Sequence, residues 1–176
     1  QGRSGARPMA DVLLRAHEII RRWGGLLAVD RVSVELERGA VHAVIGPNGA
    51  GKSTLINILS GEIPPSGGRV ELLGQDVTSW TQPRRARAGL GRSYQRSTIF
   101  PSFTVLENCR LAAQACLQKP WRWWEDARRC PVSTAVAQQV ARRSGLADVL
   151  QREAGLLSHG QKRQLEIAMC LATDPQ

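Results

Sequence analysis

The sequence predicts an α/β fold with a mixed core sheet, antiparallel strands near the N-terminus and a helical subdomain. Residues 41–45 (VHAVI) are predicted to form a buried parallel strand that precedes a glycine-rich loop and an apolar helix. Residues 29–37 alternate apolar and polar side chains, as a strand with one buried face does. From Thr104 onward the apolar residues recur at spacings of two to four, which is typical of helices.

Length and composition are those of one domain. The chain has 176 residues, 42% of them hydrophobic, which is enough for a core. No apolar run approaches the roughly 18 residues of a transmembrane helix. Residues 1–8 are polar and glycine-rich, so we expect a disordered or non-native leader before Met9. The four cysteines have no paired metal-binding spacing, which favours a reduced, cytoplasmic setting.

The net charge of +9 comes from arginines that are scattered along the chain. A net positive charge of this size is compatible with binding to nucleic acid, anionic lipid or phosphate-bearing ligands. No arginine-aromatic tract in the sequence resembles a nucleic-acid module. We therefore expect most arginines to be solvated and no nucleic-acid partner.

The elements predicted in chain order begin with an edge strand over residues 12–22 and a second strand over 29–37. The helix after the glycine-rich loop ends at Ser60-Gly61. Further along, the patterns predict strands over 69–73 and 92–95, a short basic helix over 83–88, and helices from 104, over 132–143 and over 162–173. Thr104 and Glu107 have the spacing of a capping box at the start of their helix.

Residues 46–54, here called the phosphate loop, match the pattern G-x-x-x-x-G-K-[ST] of a loop that holds nucleotide phosphates. The loop consists of Gly46, Pro47, Asn48, Gly49, Ala50, Gly51, Lys52, Ser53 and Thr54. Its glycines allow successive N–H groups to point into one anion-sized hollow. Lys52 supplies an ammonium for the terminal phosphates, and the Ser53 hydroxyl can ligate Mg²⁺. The helix that follows favours the same negative charge at its N-terminus.

Three of the five tryptophans, Trp121, Trp123 and Trp124, lie in one short loop. The cluster is either a surface that contacts a partner or membrane headgroups, or a hydrophobic contact with the protein's own helices. The sequence does not separate these two interpretations.

The phosphate loop, Gln95 and the segment Leu157-Ser158-His159-Gly160-Gln161 together resemble the nucleotide-binding domain of ABC transporters. The usual signature of that family is Leu-Ser-Gly-Gly-Gln, from which this chain departs at His159. The resemblance runs from residue 12 to the last residue. Within the family, residues 23–30, 91–95, 99–101, 104–108 and 165–168 are similar to importers of branched-chain amino acids. Urea and short-chain amide importers are close relatives, and physical reasoning does not separate them.

The resemblance implies a role for each matching residue. Trp23 would stack on adenine, and the phosphate loop would hold ATP with Mg²⁺ on Ser53. Gln95 would reach Mg²⁺ and the attacking water. The signature residues Ser158, His159, Gly160 and Gln161 would face the γ-phosphate that a second subunit binds. A histidine at position 159 would cost strain if the backbone there required a positive φ.

The resemblance also implies a division of the chain. Residues 9–95 would be the N-terminal part of a P-loop NTPase core, residues 96–160 the helical subdomain with the signature, and residues 161–176 the signature helix. In this family an apolar strand with the Mg²⁺-binding and water-polarising carboxylates follows that helix. The chain ends before it, so we expect the C-terminal part of the core to be missing. Hydrolysis would then be residual at most, and residues 41–45 would lose a neighbouring strand.

The implied function is that of the ATPase subunit of an importer for branched-chain or related amino acids. Its partners would be the membrane (permease) subunits, docked at residues 100–108, and a second nucleotide-binding subunit. A periplasmic or extracellular solute-binding protein would be an indirect partner. The subunit would lie peripherally at the cytoplasmic face of the plasma membrane. The alternatives are a nucleotide-binding module or remnant without catalysis, a urea or amide transport subunit, and a soluble ABC ATPase that acts on nucleic acid or ribosomes.

Overall fold

A computed structural model describes residues 11–94, 99–117 and 130–176. The chain divides into two compact units, one within Gln1–Ala88 and one within Gly89–Gln176. The predicted leader, Gln95 and the tryptophan cluster of Trp121, Trp123 and Trp124 lie outside the described residues.

The first unit contains a four-stranded antiparallel sheet. Its strands are β1 (Val12–Trp23), β2 (Leu26–Glu37), β3 (Gly67–Leu72) and β4 (Gln75–Asp76), in the order β2-β1-β3-β4. The prediction that residues 12–22 form an edge strand is therefore wrong, because β1 pairs with β2 on one side and β3 on the other. The interior position of β1 results from its pairing with β3, which begins more than 40 residues after the end of β1.

Alternation along the strands places one face of the sheet in the core. Leu14, Ala16 and Ile19 of β1 are buried, as are Val70 and Leu72 of β3. The helix after the phosphate loop, α1 (Lys52–Ser60), buries Leu55 and Ile58 and contacts β1 and β2. It ends at Gly61 with a positive φ of 81°, as the glycine after Ser60 predicts.

The predicted parallel strand at residues 41–45 does not form. Val41 is 99% exposed and Ile45 is 91% exposed, and no described strand pairs with this segment. A parallel strand needs neighbours along its edges and cover on its faces, and the described residues supply neither here. The α/β class is confirmed, whereas the described sheet is antiparallel rather than mixed. For the same reason residues 92–94, the described part of the predicted strand 92–95, form no strand.

A buried arginine connects three segments of the first unit. Arg85 lies on the short helix α2 (Gln82–Arg87) and is 1% exposed. Its Nη1 donates to the carbonyls of Ile58 and Leu59 at 2.8 and 2.7 Å, and Nη2 donates to the Thr78 carbonyl at 3.1 Å. The guanidinium therefore satisfies carbonyls at the C-terminus of α1, where the helix dipole favours a cation. Burial lowers the pKa of Arg85.

Three helices form the core of the second unit. They are α3 (Val105–Leu117), α4 (Pro131–Arg143) and α5 (His159–Ala172), with short 3₁₀ turns at Ala147–Val149 and Ala154–Leu156. Their buried residues include Val105, Val140 and Leu165. The predicted capping box starts α3, since the Thr104 N–H donates to Glu107 Oε2 at 3.0 Å and the Glu107 N–H donates to Thr104 Oγ1 at 3.1 Å. No helix of the described residues has the length and apolar character needed to cross a membrane.

Replacing Arg85 with methionine should destabilise the first unit, because one buried and two partly buried carbonyls lose their donor. We expect Arg85→Met to lower the free energy of unfolding by about 2–4 kcal/mol, measured by urea denaturation followed by circular dichroism. Arg87→Met removes the same charge from an exposed position on the same helix and should cost less than about 0.5 kcal/mol. Equal losses in the two variants would contradict the role assigned to Arg85.

Candidate functional site: the phosphate loop and the signature helix

The phosphate loop connects β2 to α1, and its shape depends on glycine. Gly49 and Gly51 have φ of 86° and 80°, in the left-handed region that glycine adopts without strain. Gly51 is also constrained by space, because a Cβ there would overlap the backbone carbonyl of Ala28 on β2. A Cβ at Gly49 would meet no atom within 4 Å. Gly51 is therefore required both by its φ and by the close approach of the loop to β2.

Lys52 lies at the start of α1 and bends back over the loop. Its Nζ donates to the carbonyls of Gly46 and Pro47, each at 2.7 Å. The ammonium is thus held next to the loop backbone, where a phosphate would find both the cation and the amides of the turn. Phosphate oxygens are the same kind of acceptor as these carbonyls and carry more charge.

The N-terminus of α1 is open to an anion. No side chain caps it, and no acidic residue lies in its first turn. The Ser53 hydroxyl belongs to an exposed residue of this turn. Positive charge at the helix start is therefore not neutralised by the protein's own carboxylates. The arrangement fits the phosphates of a nucleotide.

Trp23 lies at the end of β1, opposite Leu26 across the hairpin. Its indole is 49% exposed, and the Arg21 guanidinium carbon lies 4.0 Å from the ring centroid. Ala28, which contacts Gly51, is two residues beyond Leu26, a rise of about 7 Å along β2. The exposed indole and the phosphate loop therefore lie near the same end of the hairpin. Sequence reasoning missed Arg21, although its spacing of two from Trp23 on a strand was a signal.

The signature in the second unit forms the start of α5. The Gln161 N–H donates to Ser158 Oγ at 3.2 Å, and the Ser158 N–H donates to Gln161 Oε1 at 3.1 Å, which is a capping box. The helix accordingly begins at His159, three residues before the predicted start at residue 162. The spacing S-x-x-Q was the overlooked signal.

The histidine in the signature causes no backbone strain. His159 is the first residue of α5 and is not among the described non-glycine residues with positive φ. Its side chain is exposed. A Cβ at Gly160 would meet no atom within 4 Å, so contacts within the described chain do not require glycine there.

Arg163 connects α5 to the segment that precedes Gln95. Its Nη1 donates to the Tyr94 carbonyl at 3.2 Å and to Glu166 Oε2 at 2.8 Å. The side chain has these two partners and is half exposed. Gln95 itself lies outside the described residues, so the structure does not place it beside Ser53. Among the described residues, no group of three or more His, Cys, Asp and Glu side chains is arranged to hold a metal ion.

Comparison with known proteins identifies the class. The profile of the ABC transporter family matches residues 29–176, and the chain belongs to that family. It is 33% identical over 175 residues to the high-affinity branched-chain amino acid transport ATP-binding protein LivG of Salmonella typhimurium. It is 34% identical over 175 residues to the corresponding protein BraF of Pseudomonas aeruginosa. Each alignment covers 96% of this chain and 68% of the relative.

A solved structure supports the same fold. The ADP conformation of MJ1267, an ATP-binding cassette of an ABC transporter, matches with a TM-score of 0.80 and 30% identity. The match covers 93% of this chain and 66% of that cassette, so the chain spans about two thirds of the length of its relatives. The predicted cassette fold, the family and the resemblance to branched-chain amino acid transport proteins are confirmed, as is membership of an ATPase family.

The two loop glycines give a matched pair of variants. Gly51→Ala should lower the free energy of unfolding by at least about 3 kcal/mol, because left-handed strain adds to overlap with the Ala28 carbonyl. Gly49→Ala introduces the left-handed strain without any overlap and should lower the free energy of unfolding by about 1–2 kcal/mol. Urea denaturation measures both values. A cost for Gly51→Ala no greater than that for Gly49→Ala would contradict the close approach of the loop to β2.

Proposed function

We propose that the protein is the ATP-binding and ATP-hydrolysing subunit of an ABC importer for branched-chain or related amino acids. The observation that carries this proposal is the geometry of the phosphate loop. Its glycines have φ in the left-handed region, no side chain caps the helix that follows, and the Lys52 ammonium is held beside the loop backbone. The names of LivG and BraF support the substrate class over urea or amides. ATP binding and hydrolysis would drive transport by the assembled importer.

Different residues of the proposed nucleotide site would contact different parts of the bound ATP. Gly46 to Thr54 would hold the phosphates through backbone amides, with Lys52 on the terminal pair. Ser53 and Gln95 would ligate Mg²⁺, which when bound neutralises charge on the phosphate oxygens. Gln95 would also orient the attacking water, and Trp23 would stack on adenine. The fit of the described residues to the phosphates of a nucleotide supports this assignment.

The signature residues would act on the nucleotide of a second cassette. Ser158, His159, Gly160 and Gln161 would face its γ-phosphate. The first turn of α5 contains no acidic residue, and the residues from 158 to 160 are exposed. The open space around Gly160 would let a phosphate approach the backbone closely.

The chain would be divided into a core over residues 9–95, a helical subdomain over 96–160 and a signature helix over 161–176.

A second candidate function is nucleotide binding without catalysis. The described residues contain no acidic cluster that could hold Mg²⁺ and activate water. The chemistry that they supply by themselves is phosphate binding and charge stabilisation. A protein with the full length of the relatives that binds ATP without turnover would favour this candidate, whereas robust turnover by that protein would favour the first.

The membrane subunits would dock at residues 100–108. Phe100 and Phe103 are 50% and 39% exposed and stack with ring centroids 5.5 Å apart. The fully buried Asn108 holds their turn, since its Oδ1 accepts from the Phe100 N–H at 2.8 Å and its Nδ2 donates to the Phe100 carbonyl at 3.1 Å. A rigid, exposed aromatic pair is typical of an interaction surface. The protein would thereby lie at the cytoplasmic face of the membrane, with the solute-binding protein as an indirect partner.

Removing the ammonium of Lys52 tests nucleotide binding. We expect Lys52→Ala to weaken the binding of a fluorescent ATP analogue by about 10- to 100-fold, because a charge-assisted contact to phosphate is lost. Arg38→Ala is the matched control. It removes one positive charge from the turn after β2, where Arg38 pairs with Asp11 at 2.7 Å. Unchanged binding by Lys52→Ala, or an equal loss in both variants, would contradict the proposed site.

Removing one exposed ring tests the docking surface. Phe100→Ser should reduce co-purification with the membrane subunits by at least about threefold, because the loss of a buried aromatic anchor from an interface costs about 1 kcal/mol or more. Thermal unfolding should change little, since the ring is half exposed. Val132→Ser alters a 55% exposed side chain on α4 and should leave co-purification intact. Full assembly by Phe100→Ser would count against this surface.

A further inference from the structure

The side chain of Arg21 lies across the indole of Trp23. The guanidinium carbon is 4.0 Å from the ring centroid, well within the range of a cation–π contact. The two residues are two apart on β1, so their side chains project to the same side of the strand. The indole is nevertheless 49% exposed. With one face under the guanidinium, the opposite face is the one left accessible.

Arg21 is itself held from a second segment. Its Nη1 donates to the Pro64 carbonyl at 2.9 Å, in the turn that leads into β3. That turn is fixed to β1, because the Ser66 N–H donates to the Ile20 carbonyl at 2.7 Å and Ser66 Oγ accepts from the Arg22 N–H at 3.1 Å. Arg21 Nε is buried and has no hydrogen-bond partner among the described residues. The guanidinium is thus packed in place, and the ring that it covers is restricted with it.

The indole of Trp23 lies at the end of the hairpin formed by β1 and β2, and this end contacts the phosphate loop. Ala28 of β2 touches Gly51, and Trp23 pairs with Leu26 two residues away. A nucleotide held by its phosphates in the loop could therefore bring its base to the free face of the indole. A base stacks best on a ring that is already oriented, because less conformational freedom is lost on binding.

We propose that Arg21 is a positioning residue for the base of the nucleotide: it covers one face of Trp23, restricts the indole and leaves a single face for a purine. The inference rests on the proposed function, since it requires ATP in the phosphate loop. It adds that affinity for the base, and not for the phosphates, depends on Arg21.

The experiment compares a ligand that has a base with one that has none. Binding of ATP and of inorganic tripolyphosphate to the 176-residue chain is measured by isothermal titration calorimetry in the same buffer. The variants are Arg21→Gln, Arg21→Lys, Trp23→Ala and the double variant Arg21→Gln/Trp23→Ala. Arg22→Gln is the matched control, because it removes the same charge from an exposed side chain next to Arg21.

We expect Arg21→Gln to weaken ATP binding about three- to tenfold relative to Arg22→Gln, because the indole is then no longer held in place and the cost of ordering this one side chain falls on ATP binding. Tripolyphosphate binding by the two variants should agree within about twofold. Arg21→Lys should recover part of the ATP affinity, since a lysine can place a cation over the ring. Trp23→Ala should remove the preference for ATP over tripolyphosphate. The double variant Arg21→Gln/Trp23→Ala should then bind ATP about as well as Trp23→Ala.

Three outcomes would overturn the inference. One is equal ATP affinity in Arg21→Gln and Arg22→Gln, and another is an equal loss of ATP and tripolyphosphate binding in Arg21→Gln. The third is equal affinity of the unaltered chain for both ligands, which would leave the phosphate site and the proposed function intact. Failure of the unaltered chain to bind either ligand would overturn the proposed function together with the inference.

Discussion

The close approach of Gly51 to the Ala28 carbonyl is the constraint on which the nucleotide site depends. It sets the phosphate loop against β2 and thereby places the loop near the hairpin end that carries Trp23. At the other end of α1, the Arg85 guanidinium holds the last carbonyls of the helix. A helix that is fixed at both ends keeps its N-terminal amides oriented, which is what binding of an anion without reorganisation requires.

The signature helix uses the same residues for folding and for its proposed function. Ser158 and Gln161 form the capping box that starts α5, so each has a structural role within its own chain. The helix start is nevertheless exposed, and its first turn contains no acidic residue. Arg163 then connects this helix to the Tyr94 carbonyl, one residue before Gln95. This hydrogen bond joins the signature helix to the segment that leads to Gln95.

Local features could be predicted from the sequence, and features set by distant segments could not. The glycine end of α1 and the Thr104–Glu107 box follow from neighbouring residues, and both are present. The interior position of β1 depends on β3, and a strand at residues 41–45 depends on partners that the described residues do not provide. The start of α5 was predictable from Ser158 and Gln161 but was overlooked. The contact of Arg21 with Pro64 joins segments 43 residues apart and had no local signal.

Three exposed features of the described residues are available for contact with ligands and partners. Buried polar groups such as Asn108 and Arg85 have partners within the chain, so their presence is explained by the fold. Gly160 has open space around it, and the Trp23 and Phe100 rings are half exposed at a cost in apolar surface. Each of these three matches one expected contact: a phosphate from a second cassette, a base and a membrane subunit.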